Sequence, residues 1–170
     1  MTVSCVKDKV LKYALCYSVW SAVLFALIFI EGISPLYSLN ELQTSLTIYF
    51  TNLWLSYSDI PVYMNGNKML FEHGVELLIL NVCNGMIPIL LYVAAVLSYP
   101  ARKLDKIDWS IGGYFVLTVV NILRIYFITV WVADHPDSFH YLHDFVARYV
   151  VVGLTLIFFY LFVKNARIAD

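Results

Sequence analysis

Charge is what this sequence has least of. Only 14% of its residues are Asp, Glu, Lys or Arg, where about 25% is usual for a globular domain. The eleven basic residues nearly cancel the twelve acidic ones, for a net charge of −1, so no basic face is on offer to nucleic acid. Cysteine is scarce as well. Three of them, an odd count without close spacing, exclude a disulfide framework and a zinc ribbon. No repeat of fixed period and no low-complexity linker divides the 170 residues, which is a one-domain length. Disorder is excluded too, because disordered chains are poor in aromatics and this one is 16% Phe, Trp and Tyr.

What fills the space is apolar. Hydrophobic types make up 61% of the chain and the mean hydropathy is +0.76. A globule this small cannot bury so much apolar surface by itself. The composition reads as an integral membrane protein, all-α in class. A hydrocarbon core about 30 Å thick needs about 20 apolar residues per helix. Four runs qualify, at about 13–33, 77–99, 111–132 and 145–163, with the polar stretch 101–110 as the loop between the second and third. The first follows three lysines, but it is longer than the core of a signal peptide and no A-x-A-like site comes after it, so it is expected to remain as a helix. The expected fold is a single membrane domain over residues 1–170. It comprises a four-helix bundle with an outer amphipathic helix and a small β-ribbon cap.

Orientation follows from Lys and Arg in short loops. Lys7, Lys9, Lys12, Arg102, Lys103, Lys106, Lys164 and Arg167 fall on one side, against Lys68 and Arg148 on the other. Both termini and the 101–110 loop are therefore expected in the cytoplasm of a multi-pass plasma or inner membrane protein. Asp134, Asp137, Asp144 and the four histidines fall outside or at the outer boundary.

The outer segment, residues 35–76, is patterned. Leu39, Leu42, Leu46, Tyr49, Phe50, Leu53 and Trp54 recur at three- and four-residue intervals, one apolar face of a helix expected to lie along the outer interface. Val62 to Phe71 then holds an Asn65-Gly66 turn between short strand-like runs, the basis of the β-ribbon. A plain outer loop anchored by Trp54 is the alternative for the whole segment.

Three residues are out of place in a bilayer. Arg124 lies about 12 Å below the outer end of the third span, at 1.5 Å per residue, with Asn121 one turn away on the same face. A central arginine is costly in lipid and normally faces a partner or a wet cavity; snorkelling to the interface is the bland alternative. Cys83 lies about 9 Å below the outer end of the second span, in Cys83-Asn84-Gly85-Met86-Ile87-Pro88. Pro88 is expected to bend that helix beside the cysteine, and Gly85 to admit a close neighbour. A lone membrane cysteine is otherwise an ordinary small hydrophobe. Cys5 and Cys16 belong to the other side of the membrane and cannot reach it. The third residue is His143, which opens the last span at the same outer level. His140, three residues earlier, could join it on a metal, while His135 reads as merely solvated. A nucleophilic cysteine, a histidine to exchange its proton and an arginine for an oxyanion are the parts of an acyl-transfer site.

These residues also resemble a known family. Cys83-Asn84-Gly85, then Asn121-Ile122-Leu123-Arg124, then Leu142-His143-Asp144-Phe145 are similar, in order and depth, to the motifs of the exosortases and archaeosortases, over about residues 62–163. The chain most resembles the compact exosortase H subtype. It departs in having Asn84 where a small residue is usual, and a single span before the core. The resemblance implies a membrane cysteine protease or transpeptidase for protein sorting, with Cys83 as nucleophile, Arg124 as its electrostatic partner and His143 in acid–base work. Asn121, Gly85, Asn84 and His140 would be in support. It implies membrane-anchored substrates with a C-terminal motif, helix and basic tail, a surface glycan or lipid as acceptor, an active site on the extracytoplasmic side, and neither metal nor organic cofactor.

Two other readings stand beside it. One is a non-enzymatic metal- or haem-handling protein using Cys83, His140 and His143, which leaves Arg124 without a purpose. The other is an accessory subunit of an export system, needing no catalytic group.

Overall fold

The computed structural model describes residues 3–168 apart from 33, 59, 61, 72–75 and 81–82, and without the side chains of 3–7 and 146–147. His73 and the Cys5 side chain lie outside the described residues. Five α-helices and one small sheet follow in the order α1 (Val3–Phe29), α2 (Tyr37–Leu55), β1 (Val62–Asn65), β2 (Lys68–Phe71), β3 (Glu76–Leu78), α3 (Met86–Ser98), α4 (Lys103–Asp134) and α5 (Ala147–Asn165). Among the described residues three stretches are long and apolar enough to cross a membrane: Asp8–Phe29, Lys103–Asp134 and Pro136–Asn165. Their outward residues, such as Val19, Phe115, Phe127, Leu156 and Tyr160, are exposed apolar side chains, as lipid-facing positions must be.

The expected second span, 77–99, is not one helix. Its first residues form β3, and the helix begins only at Met86. A short apolar run cannot be assigned to strand or helix by its hydrophobicity, and Gly85 decides the matter with a φ of 81° that ends any helix from above. The bend expected at Pro88 is therefore absent. Proline sits in the first turn of α3, where a missing N–H costs nothing. At 13 residues, α3 is about 20 Å long, shorter than a hydrocarbon core.

The 101–110 stretch is not a loop either. α4 starts at Lys103, and its polar first turns are tied to the far end of α5, with Arg102 N–H donating to Arg167 O at 3.0 Å and Arg167 N–H to Asp105 Oδ2 at 2.8 Å. Charged residues there extend the helix beyond the apolar layer. At the opposite end a 3-10 turn (Pro136–Ser138) and a wide π-helical turn (Tyr141–Val146) precede α5.

α2 differs most from expectation, because its polar side is the buried one. Asn40, Gln43, Thr44, Thr47 and Thr51 face the protein, while Leu39, Leu42, Tyr49, Phe50 and Trp54 are exposed. Gln43 reaches Thr118 and Trp54 meets Tyr126, so α2 packs along α4 in the same direction. It starts near where α1 stops: Ile28 of α1 packs with Met86, and Asn40 of α2 bonds Asn84. The apolar face is turned outward, and the polar face turns inward to partners.

The β-ribbon is present, with a third strand. β1 pairs antiparallel with β2, Val62 opposite Phe71 and Asn65 opposite Lys68, and β2 pairs antiparallel with β3, Met69 opposite Leu77. The two-residue turn is Gly66-Asn67, with Gly66 alone at positive φ (62°), as in the hairpin turn that wants glycine first. Met69 and Phe71 of the sheet bury against Ile125, Ile128 and Val132 of α4, which seats the sheet on that helix's C-terminal half. At the other end Tyr92, Phe162, Trp109 and Leu117 form the second core, where a Cβ on Gly113 would stand 2.7 Å from Tyr92 Cδ1.

Candidate active site

The loop between β3 and α3 carries Cys83 and is held from two sides. Irregular backbone at membrane depth needs partners within the protein, and α2 supplies them. Gln43 Nε2 donates to Asn84 O at 3.1 Å, and Thr47 Oγ1 donates to the same carbonyl at 3.4 Å. The Gln43 amide is itself oriented by Tyr114, whose hydroxyl donates to Oε1 at 2.6 Å. The Asn84 side chain is fully buried. Its Nδ2 donates to Asn40 Oδ1 (2.7 Å) and Thr44 Oγ1 (2.9 Å), and its Oδ1 accepts from Met86 N–H (2.9 Å), capping α3.

From the other side, Asn121 of α4 donates from Nδ2 to Cys83 O at 3.0 Å and accepts from the Arg124 guanidinium at 3.3 Å. One buried amide thus links the cysteine's backbone to the arginine. This contact also requires Gly85. A Cβ there would stand 2.8 Å from Asn121 Cγ, besides the strain of a positive φ. Arg124 has no carboxylate partner among the described residues, and its Nε is buried without a hydrogen bond. It lines a cleft together with Cys83 and His143.

His143 comes from the π-helical turn. Its ring stacks on Phe139 (5.2 Å between centroids, 24° between planes). Its Nε2 lies 4.0 Å from Cys83 Sγ, and its Nδ1 lies 3.0 Å from Asp144 Oδ1. With the Nδ1 proton toward Asp144, Nε2 is the acceptor for the thiol. The arrangement can generate a thiolate beside a guanidinium at the mouth of a cleft.

The three residues read from the sequence as one site are thus brought together, with Asn121, Gly85 and Asn84 around them. His140 is not. It is exposed and sits 3.7 Å from Asp144 rather than on Cys83, and His135 stacks on Trp131. Among the described residues no three His, Cys, Asp or Glu side chains converge as metal ligands would. Cys16 is free and exposed, far along α1. Asp144, Gln43 and Tyr114 are the residues that sequence reasoning passed over. Adjacent residues seldom face one another on an ordinary helix, so Asp144, though quoted beside His143, was given no role. Gln43 lies on α2, whose apolar face had drawn the attention, and Tyr114 lies in the first half of α4, in a run read only as apolar.

A family model described as transmembrane exosortase matches residues 10–161. No curated protein and no solved structure matches the chain.

Proposed function

The chain belongs to the transmembrane exosortase family, and on that premise we propose that it is a cysteine transpeptidase cutting the C-terminal motif–helix–basic tail of exported proteins. It is a multi-pass membrane protein of a family acting on membrane-associated protein substrates. The observation that carries the finer reading is the Cys83–His143–Asp144 arrangement sharing a cleft with Arg124.

In the proposed reaction His143 Nε2 takes the proton of Cys83, and the thiolate attacks the scissile carbonyl. The carbonyl electrons move onto oxygen, and Arg124 faces that oxyanion. Collapse of the intermediate expels the amine of the tail, which takes the proton back from His143. The protein remains as a thioester on Cys83. An acceptor amine or hydroxyl then attacks, its proton passing through His143 to the sulfur, and water in the same role gives hydrolysis. Asp144 holds the tautomer and offsets the charge of the imidazolium.

The test is a tail-bearing reporter co-expressed with the enzyme. The tail is lost, and hydroxylamine captures the upstream fragment as a hydroxamate; an untrimmed reporter would sink the proposal. The active site is proposed to face the extracytoplasmic side, on the eight-to-two asymmetry of basic residues. Reporter fusions after residue 105 and after residue 138 should then read inside and outside respectively. The reverse pattern overturns the orientation.

A further inference from the structure

The catalytic reading uses nothing of the β-sheet, yet the sheet walls part of the cleft. Two lobes meet at the Cys83, Arg124 and His143 side chains. The larger, about 390 Å3, runs on past Pro88, Leu91 and Val152 between α3 and α5. The smaller, about 50 Å3, lies between the sheet and α4, walled by Met69 of β2, Leu77 of β3, and Ile125, Ile128 and Thr129. Its size sets what can enter. One water-sized group needs about 10–15 Å3 of such space, so about three or four carbon-sized groups fill the lobe. A peptide main chain cannot pass through it.

Its chemistry is as restricted as its size. Met69, Ile125, Ile128 and Thr129 are all buried. The Thr129 hydroxyl donates to Ile125 O at 2.9 Å, with Met69 Sδ 3.4 Å away, so its proton is already given. A water held behind the catalytic groups would lack the several polar partners that a buried water needs. A charged or amide side chain would lose its hydration there without return. An apolar side chain gains by leaving water. Met69 reaches from β2 to Thr129 of α4, both of them walls of the lobe, so shortening that side chain enlarges the space.

We propose that this lobe receives the side chain of the residue whose carbonyl Cys83 attacks, and that Met69 sets its upper limit at a small apolar side chain such as that of alanine or valine. The inference rests on the transpeptidase reading and names the substrate class at its scissile residue. A carbonyl between the Cys83 thiol and the Arg124 guanidinium stands where the two lobes meet. The main chain needs a way onward, which the larger lobe offers, and the smaller one fits a side chain alone. The sheet is thereby a specificity element, placed over the site by the packing of Met69 and Phe71 on α4.

The full chain in neutral detergent is treated with acetyl-alanyl, acetyl-valyl, acetyl-phenylalanyl and acetyl-aspartyl chloromethyl ketones. Their carbonyl and side chain stand in for the scissile residue while the thiolate displaces chloride. Alkylation of Cys83 is read by peptide mass mapping, and each rate is divided by that of iodoacetamide with the same protein. The alanyl and valyl reagents should outpace the phenylalanyl one by about tenfold or more, the scale of misfit in an apolar pocket. Met69→Ala should narrow that gap about tenfold. Ile128→Val, the milder change should the first variant not fold, should narrow it in part. Equal rates for the three apolar reagents, a gap unmoved in both variants, or a preference for the aspartyl reagent would each overturn the proposal. No tail is cut in this assay, so the two readings fail separately. Size-indifferent alkylation with intact trimming of the tailed reporter condemns the pocket alone, and size-selective alkylation without Cys83-dependent trimming condemns the enzyme reading alone. A thiol that no reagent labels removes both.

Discussion

Replacing Cys83 by alanine or serine should abolish removal of the tail while leaving the protein in the membrane at its normal level. Loss of a nucleophile that works with a paired base costs about 10⁴-fold or more, whereas one half-buried thiol contributes little volume to the fold. Serine is the sharper test. It keeps the size and the contact with His143, but its hydroxyl ionises far less readily than a thiol at 4.0 Å from that imidazole. Cys16→Ala and Cys5→Ala should process normally, and Cys16 is both free and exposed. Turnover of the tailed reporter, normalised to membrane protein level, is the measurement. Near wild-type trimming by Cys83→Ser would end the thiol mechanism.

The second large effect is expected at Arg124, where lysine should not restore function although it keeps the charge. The guanidinium donates to Asn121 Oδ1 while Asn121 grips the Cys83 carbonyl, and it has further N–H groups for an oxyanion. An ammonium on a flexible stem cannot hold both directions at once, and in a buried setting it readily loses its proton. Removing one oxyanion donor slows acyl transfer by about 10²–10³-fold, and Arg124→Lys should fall in that range. His143→Ala should cost about 10²–10⁴-fold, and Asp144→Ala less, since that carboxylate is exposed to water. An arginine that merely snorkelled to the interface would be replaced by lysine without loss. Equal turnover of wild type and Arg124→Lys, at matched membrane levels, would remove Arg124 from the site.

Much of the site was legible because each of its residues violates a rule of the bilayer. A cysteine flanked by Asn84 and Gly85, an arginine in an apolar run and a histidine at a span's outer end all stand out against lipid. The Gly66 turn was legible because tight hairpins demand glycine-like φ, and it brought β1 and β2 with it. β3 and the late start of α3 were not, since residues 77–99 read as one apolar run in which strand, loop and helix look alike. The setting of α2 was misread for a different reason. Its apolar face was seen correctly, but amphipathicity alone does not say which face is turned to protein.

That inverted helix bears on how the protein is made. Asn40 finds its amide partner in Asn84, 44 residues later in the chain, and Gln43 is oriented by Tyr114, 71 residues later. Until those residues are made, the polar side of α2 lacks these partners, so its docking has to follow synthesis of α3 and the first part of α4. The loop bearing Cys83 acquires its partners in the same event. Docking of α2 and support of the Cys83 loop are therefore one step in time, and a half-made chain carries that loop without its α2 partners.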